Sequence, residues 1–297
     1  YVMNYISRDV TVIDISRARE TVLATLQSAA LPGAATIEDK IHAGKELYNT
    51  SVGEFDPVTA GGPAITGRMS NNGWGSCGAC HPFGLSDNVV WIFPAGPRRT
   101  IAQHSDFNPD DPTREQMRML NWSANRDEQE DFELNIRGVS GGQGVIVQAG
   151  GSAQDTTVVD LAPAASGGRN QLKIRGFGAW DAIKAYEQFG IRSPISPVSK
   201  WDPDVVAGEE LFKTAKCQTC HGGAQWTTSV VGTVPTPAAA VTGGQVVAQL
   251  KKAGTFDATQ KNEVRQNAAA PLGAEGFVPP SLLSLHAFPQ TFLHGGQ

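Results

Sequence analysis

Two stretches decide how this chain is read: Ser76-Cys77-Gly78-Ala79-Cys80-His81-Pro82-Phe83 and, about 140 residues further on, Lys216-Cys217-Gln218-Thr219-Cys220-His221-Gly222-Gly223. They contain all four cysteines of the protein, as two CxxC pairs each followed at once by histidine. This is the attachment pattern of c-type haem: two thioethers hold the porphyrin, and the adjacent His81 or His221 supplies the proximal iron ligand. Three other readings are weaker. A structural zinc site brings its two CxxC pairs within about 15–20 residues and has no need of the histidine. A disulfide framework does not leave both pairs at CxxC spacing in a chain this long. A thioredoxin-like dithiol needs a βαβ context and occurs once. The expected cofactors are therefore two covalently attached c-type haems. Such attachment takes place outside the bacterial cytoplasm, so the expected location is periplasmic or extracytoplasmic.

The rest of the composition sets bounds. At 297 residues the length prior is about two domains. With 40% hydrophobic and 18% charged residues, the chain can bury a sizeable core. Its 33 glycines and 18 prolines exceed the usual share of ~12%, which predicts much loop. No apolar run reaches 18 residues, so no transmembrane helix is expected. A net charge of −5 without any Lys/Arg block makes nucleic acid and anionic membranes poor partners. The chain opens at Tyr1 without Met or a signal-like segment. Either a removed signal or a start inside a longer protein is expected.

Outward from the two motifs, the pattern predicts three strands before residue 27, at Tyr1–Ile6, Val10–Ile15 and Thr21–Leu26, rich in β-branched residues. A helix is expected near 37–49 behind a Thr36 cap, and a second from Thr113 through Met119 after Asp111-Pro112. The glycine-rich 138–152 stretch lacks the lysine of a phosphate loop and reads as irregular. A helix over about 180–189 ends at Gly190, Ser193–Pro197 follows as a stiff linker, and Asp202-Pro203 opens another helix toward the second motif. This gives a β segment over 1–30, a first haem domain over 36–192 and a second over 200–297.

The run YVMNYISRDVTVIDISRARETVLATL resembles a YVTN repeat, the unit of one β-propeller blade. A blade cannot bury its faces alone, so a propeller domain or subunit is an expected neighbour; a small meander packed on the haem domain is the alternative. From residue 40 onward, IHAGKELYN, SCGACHPFGLSDNVVW, GPRRT, LNWSANRDEQEDFE, GEELFKTAKCQTCHGGAQWTTS and GFVPPSLLSLHAFPQTFLHGG resemble the di-haem cytochrome c peroxidase/MauG superfamily, especially members fused behind such a propeller. The resemblance implies a mainly α fold of two cytochrome c-like haem domains with long loops. It also implies that Trp122 relays electrons between the haems, that Arg98 pairs with a haem propionate, and that His294 lies near the second haem.

The distal ligands are less determined. Beyond the two proximal residues stand His42, His104, His286 and His294 as candidate iron ligands. The four methionines all precede the second motif. The resemblance places the second haem's distal Met shortly beyond Gln297. At the first haem, where peroxidases of the family carry a distal His, this chain has Trp91. The acid–base glutamate falls where 138–144 offers no acid, with Glu130, Asp131 and Glu133 in a shifted register. The resulting expectation is one-electron transfer between two haems and an external redox partner such as a small cytochrome or cupredoxin. A peroxidase or MauG-like oxidase at an open first haem is the alternative, and a propeller that binds substrate while the haems only report redox state is a third.

Overall fold

A computed structural model describes the chain except residues 17–19, 57–66, 94, 158, 160, 162–168, 232–245, 261–262, 264–271, 288–291 and 297. Three antiparallel strands lead, β1 (Val2–Asn4), β2 (Asp9–Asp14) and β3 (Thr21–Gln27), in the order β1-β2-β3. Successive side chains of a strand point to opposite faces. Val22 and Leu23 are both about 60% exposed, so each face of this sheet shows apolar surface to solvent. The β1–β2 turn anchors it. Tyr5 meets Tyr186 through their hydroxyls at 3.3 Å, lies under the Lys45 ammonium and stands edge-on to Phe83.

The core that follows rests on α1 (Ile37–Thr50) and α4 (Ala179–Phe189). Thr36 caps α1 by accepting from Asp39 N, as its sequence pattern predicts. The two helices touch at Gly44, where a Cβ would sit 1.9 Å from the Ala182 carbonyl oxygen. Only glycine permits that approach. Leu47, Tyr48, Phe55, Ile146, Ile174, Trp180 and Ile183 fill the space around them, and Cys77 packs against this cluster.

The expectation of a mainly α pair of cytochrome c-like domains does not hold. Helices account for 27% of the described residues and strands and bridges for 16%, with six α-helices and three small sheets. Two sheets beyond the meander are two-stranded: β4 (Val90–Phe93) with β5 (Gly96–Arg99), and β6 (Lys173–Ile174) with β7 (Phe177–Gly178). The helix expected over 113–119 is also absent. The Asp111 carboxylate takes the backbone N–H groups of Thr113, Glu115 and Gln116, Arg114 turns left-handed at φ 55°, and Met117 and Arg118 are extended in isolated bridges. An aspartate that binds the following N–H groups stabilises a turn in competition with a helix.

The central segment from Gly96 to Arg126 joins the two halves. Met119 N donates to Ser229 O, Val246 N to Ala124 O, and Val278 N to Trp122 O, while Arg99 N donates to His294 O. Two small apolar clusters seal these contacts, Met119 with Ala124, Leu250 and Val278, and Ile101 with Trp122 and Phe277. Farther along, α5 (Pro203–Thr214) is capped by Asp202 and leads to the second motif, but buries none of its residues. No described helix is long and apolar enough to cross a membrane.

Candidate haem-binding sites

Each CxxCH motif coincides with one helical turn. Cys77–Cys80 forms α2, capped by Ser76, with His81 N bonded to Cys77 O. Gln218–His221 forms α6, with Cys217 at its cap position and His221 N bonded to Cys217 O. On such a turn, residues three and four apart share a face, so both sulfurs and the imidazole address the same side. All four cysteines are free thiols. Among the described residues no group of three or more His, Cys, Asp or Glu is arranged to hold a metal ion, so the two pairs are not gathered around one zinc. Burial pushes the Cys77 thiol up to about 12 and the Cys80 thiol up to about 11, which is the reverse of a reactive dithiol.

The second motif opens on a cavity of about 310 Å³, at the small end of ligand sites. Its wall is almost entirely apolar. Cys220 and His221 stand on it with Ile101, Trp122, Phe277, Val278, Pro279, Leu282 and Phe292, and Arg99, Lys251, Thr255 and His294 are among its polar residues. His221 Nδ1 lies 2.9 Å from the Pro280 carbonyl. A carbonyl only accepts, so Nδ1 carries the proton and Nε2 is left bare. This is the arrangement by which a metal-ligating histidine is oriented. An apolar wall, the Cys220 thiol and the His221 imidazole are groups that a covalently held haem would use, with Cys217 one turn away on the same motif.

At the first motif, the His81 ring has a buried Nδ1 without a partner, and burial holds its pKa down at about 4, so the imidazole is neutral. Two uncharged thiols and a neutral imidazole are the donor set that haem attachment requires. The loop after it is tightly braced. Asp87 N donates to Cys80 O, and Trp91 Nε1 donates to Asp87 Oδ2 at 2.9 Å. His104 Nε2 bonds the Phe83 carbonyl at 2.9 Å, which ties it to the turn that carries His81.

The two motifs are linked by a short piece of chain. Arg99, Thr100, Ile101 and Ala102 line the cavity, whereas Gln103 N donates to Gly84 O and His104 bonds Phe83. Six residues of fully extended chain span at most about 22 Å. Trp122 is buried on the cavity wall, donates from Nε1 to Arg99 O at 2.7 Å, and meets Phe277 and His294 edge-on. Its position is thus beside both the cavity and the connecting segment.

The remaining candidates separate. His294 is buried with both ring nitrogens engaged, Nε2 with Glu263 at 2.6 Å and Nδ1 with Thr255 at 3.2 Å, and its ring stacks on Phe277. Burial lowers its pKa in spite of Glu263. His286 is exposed, next to the cavity residue Leu285. His42 is buried on α1 among the charges of Arg175, Arg8 and Lys45, with an unpartnered Nδ1 and a pKa held down to about 4 by burial. Arg98 is off the cavity: it donates to Ser123 and to the carbonyls of Pro97 and Ala95, over the Phe277 ring. Its neighbour Arg99 stands on the wall instead.

The shifted-register acids are all committed elsewhere, and none forms a solvated face. Glu133 is fully buried and receives Trp180 Nε1, Arg137 and the N–H groups of Val145 and Ile146. Glu130 pairs with Arg169 and Gln171, and Asp131 accepts from the N–H groups of Asp127 and Glu128. Sequence reasoning missed Arg99, Thr255, Phe277 and Glu263. Only the GPRRT and PSL blocks pointed to this neighbourhood. Comparison of the chain with family models, with curated proteins and with solved structures finds no match.

Proposed function

We propose that this chain is a di-haem c-type cytochrome that passes single electrons between two covalently held haems and an external redox partner. The observation that carries the reading is the His221 site: a CxxCH turn whose histidine is fixed through Nδ1 by Pro280 and presents a bare Nε2 beside an apolar cavity. Cys77, Cys80, Cys217 and Cys220 would form the thioethers, with His81 and His221 as proximal ligands. The haem iron supplies the one-electron change. Trp122 and the 99–104 segment hold the two sites close and exclude water between them, and Arg99 and Lys251 are placed to meet anionic groups at the cavity wall. The location that follows is extracytoplasmic and of bacterial type. The partner is a small cytochrome or cupredoxin, and the exposed faces of the β1–β3 sheet suit a further propeller domain or subunit.

A peroxidase or oxidase at the first haem is the other reading. It has less support, because Glu130, Asp131 and Glu133 are bound up in structural contacts and Trp91 is held by Asp87. Ferric electronic spectra of the protein matured with haem separate the two. Two low-spin haems, with no rapid peroxide-driven oxidation of a reduced cytochrome, are the expected result. A high-spin first haem with fast turnover supports the oxidase, and a protein without haem bands sinks both.

A further inference from the structure

A buried polar cluster beneath the first motif takes no part in the cavity or in the ligand set. Glu187 of α4 is 9% exposed, and its Oε1 accepts from Gln103 Nε2 at 3.3 Å. The Tyr48 hydroxyl stands between Gln103 Oε1 and the His81 carbonyl and can donate to either. Asp106 is buried and held by Arg118, whose other donors go to Ser105 and to the carbonyls of Ala102 and Met119. The titratable and charged groups facing Glu187 are therefore Asp106 and Arg118 of the central segment, Tyr48 of α1, Cys77 of α2 and Tyr186 of α4; the amides of Gln103 and Gln129 also face it.

Two carboxyls lie near one guanidinium here, and only Asp106 is bonded to it. Arg118 neutralises one of them, and a second carboxylate in this dry site has no cation of its own. Burial, with repulsion from Asp106, pushes Glu187 up to about 8. Burial pushes Asp106 up against the pull of Arg118, and the two carboxyls titrate as a coupled pair.

We infer that Glu187 is a redox-linked proton site, which gains a proton when the first haem centre is reduced and gives it up when that centre is oxidised. The inference rests on the di-haem reading. One electron from an external one-electron donor removes one positive charge near Cys77 and His81. The Glu187 carboxylate loses that stabilisation and binds one proton from solvent, so one negative and one positive charge enter together.

The test is a spectroelectrochemical titration of the haem-loaded protein from pH 5 to 9, with Glu187→Gln and Glu187→Asp as variants. Glutamine keeps the size and the hydrogen bond of the acid but cannot ionise. In the unsubstituted protein one of the two centres should have a midpoint that falls with pH, approaching a tenfold shift in its equilibrium constant (about 59 mV) per pH unit. Glu187→Gln should flatten that slope and leave the other centre alone, whereas Glu187→Asp should retain it. Reduced-minus-oxidised infrared spectra give an independent readout: a protonated-carboxyl band that appears on reduction and is missing in Glu187→Gln. A slope that persists in Glu187→Gln, or two flat midpoints in the unsubstituted protein, overturns the assignment. A protein with no redox-active visible bands instead refutes the di-haem reading itself.

Discussion

Glu133 illustrates what one residue's surroundings decide. Its carboxylate is closed off by Trp180, Arg137 and two backbone N–H groups, in a place without solvent. From the sequence it stands in an acidic run, and its partner Trp180 lies 47 residues away, so no local pattern could have marked it as structural. Glu133→Ala should cost about 3–5 kcal/mol, because Arg137 and the indole N–H lose a buried partner. Urea unfolding measures it, and a loss below 1 kcal/mol would show that these contacts carry no weight. The two CxxCH motifs, by contrast, stand in consecutive residues, and each forms the single helical turn that brings its cysteines and histidine together. Arg98 and Arg99 lie between these cases: adjacent in sequence, they face different ways across β5, and only the fold tells which reaches the cavity.

Helices were legible where a cap and an apolar stripe agreed. The bounds of α1, α4 and α5 follow the Thr36, Gly190 and Asp202-Pro203 signals closely. The expected helix at 113–119 failed because the Asp111 carboxylate takes the N–H groups of Thr113, Glu115 and Gln116 into a turn, and the buried guanidinium of Arg118 is held by Asp106 from an extended backbone. The sequence carries no strand expectation over 90–99, where the hairpin β4–β5 forms. At this scale the contact to probe is α1 on α4. Gly44→Ala forces a methyl into the Ala182 carbonyl and should lower stability by about 1–3 kcal/mol, even though alanine favours an isolated helix. A thermal melt that is unchanged or raised would mean the two helices are free to separate.

The whole molecule departs most from what its sequence implied. Loops of the kind formed by 33 glycines and 18 prolines carry no periodic signal. The central segment binds residues from both sides of the Ser193–Pro197 linker, through backbone bonds no pattern announces. One global property follows from buried imidazoles. His42 has its pKa held at about 4, well below that of the unfolded chain, so unfolding takes up a proton below about pH 6.5. The stability that His42 contributes is therefore full above 6.5 and is lost as pH falls toward 4. His42→Leu should lessen that acid loss by roughly 2–3 kcal/mol in urea titrations at pH 7 and 4.5. An identical pH slope in both proteins would assign the loss to other groups.

The central claim is covalent, and mass answers it. The chain produced with an extracytoplasmic haem-attachment system, then denatured, should weigh two haems more than its polypeptide, with no free thiol. Replacing both Cys217 and Cys220 by alanine should remove one haem and leave the other. A denatured mass equal to the bare polypeptide, with four thiols open to alkylation, would contradict the account.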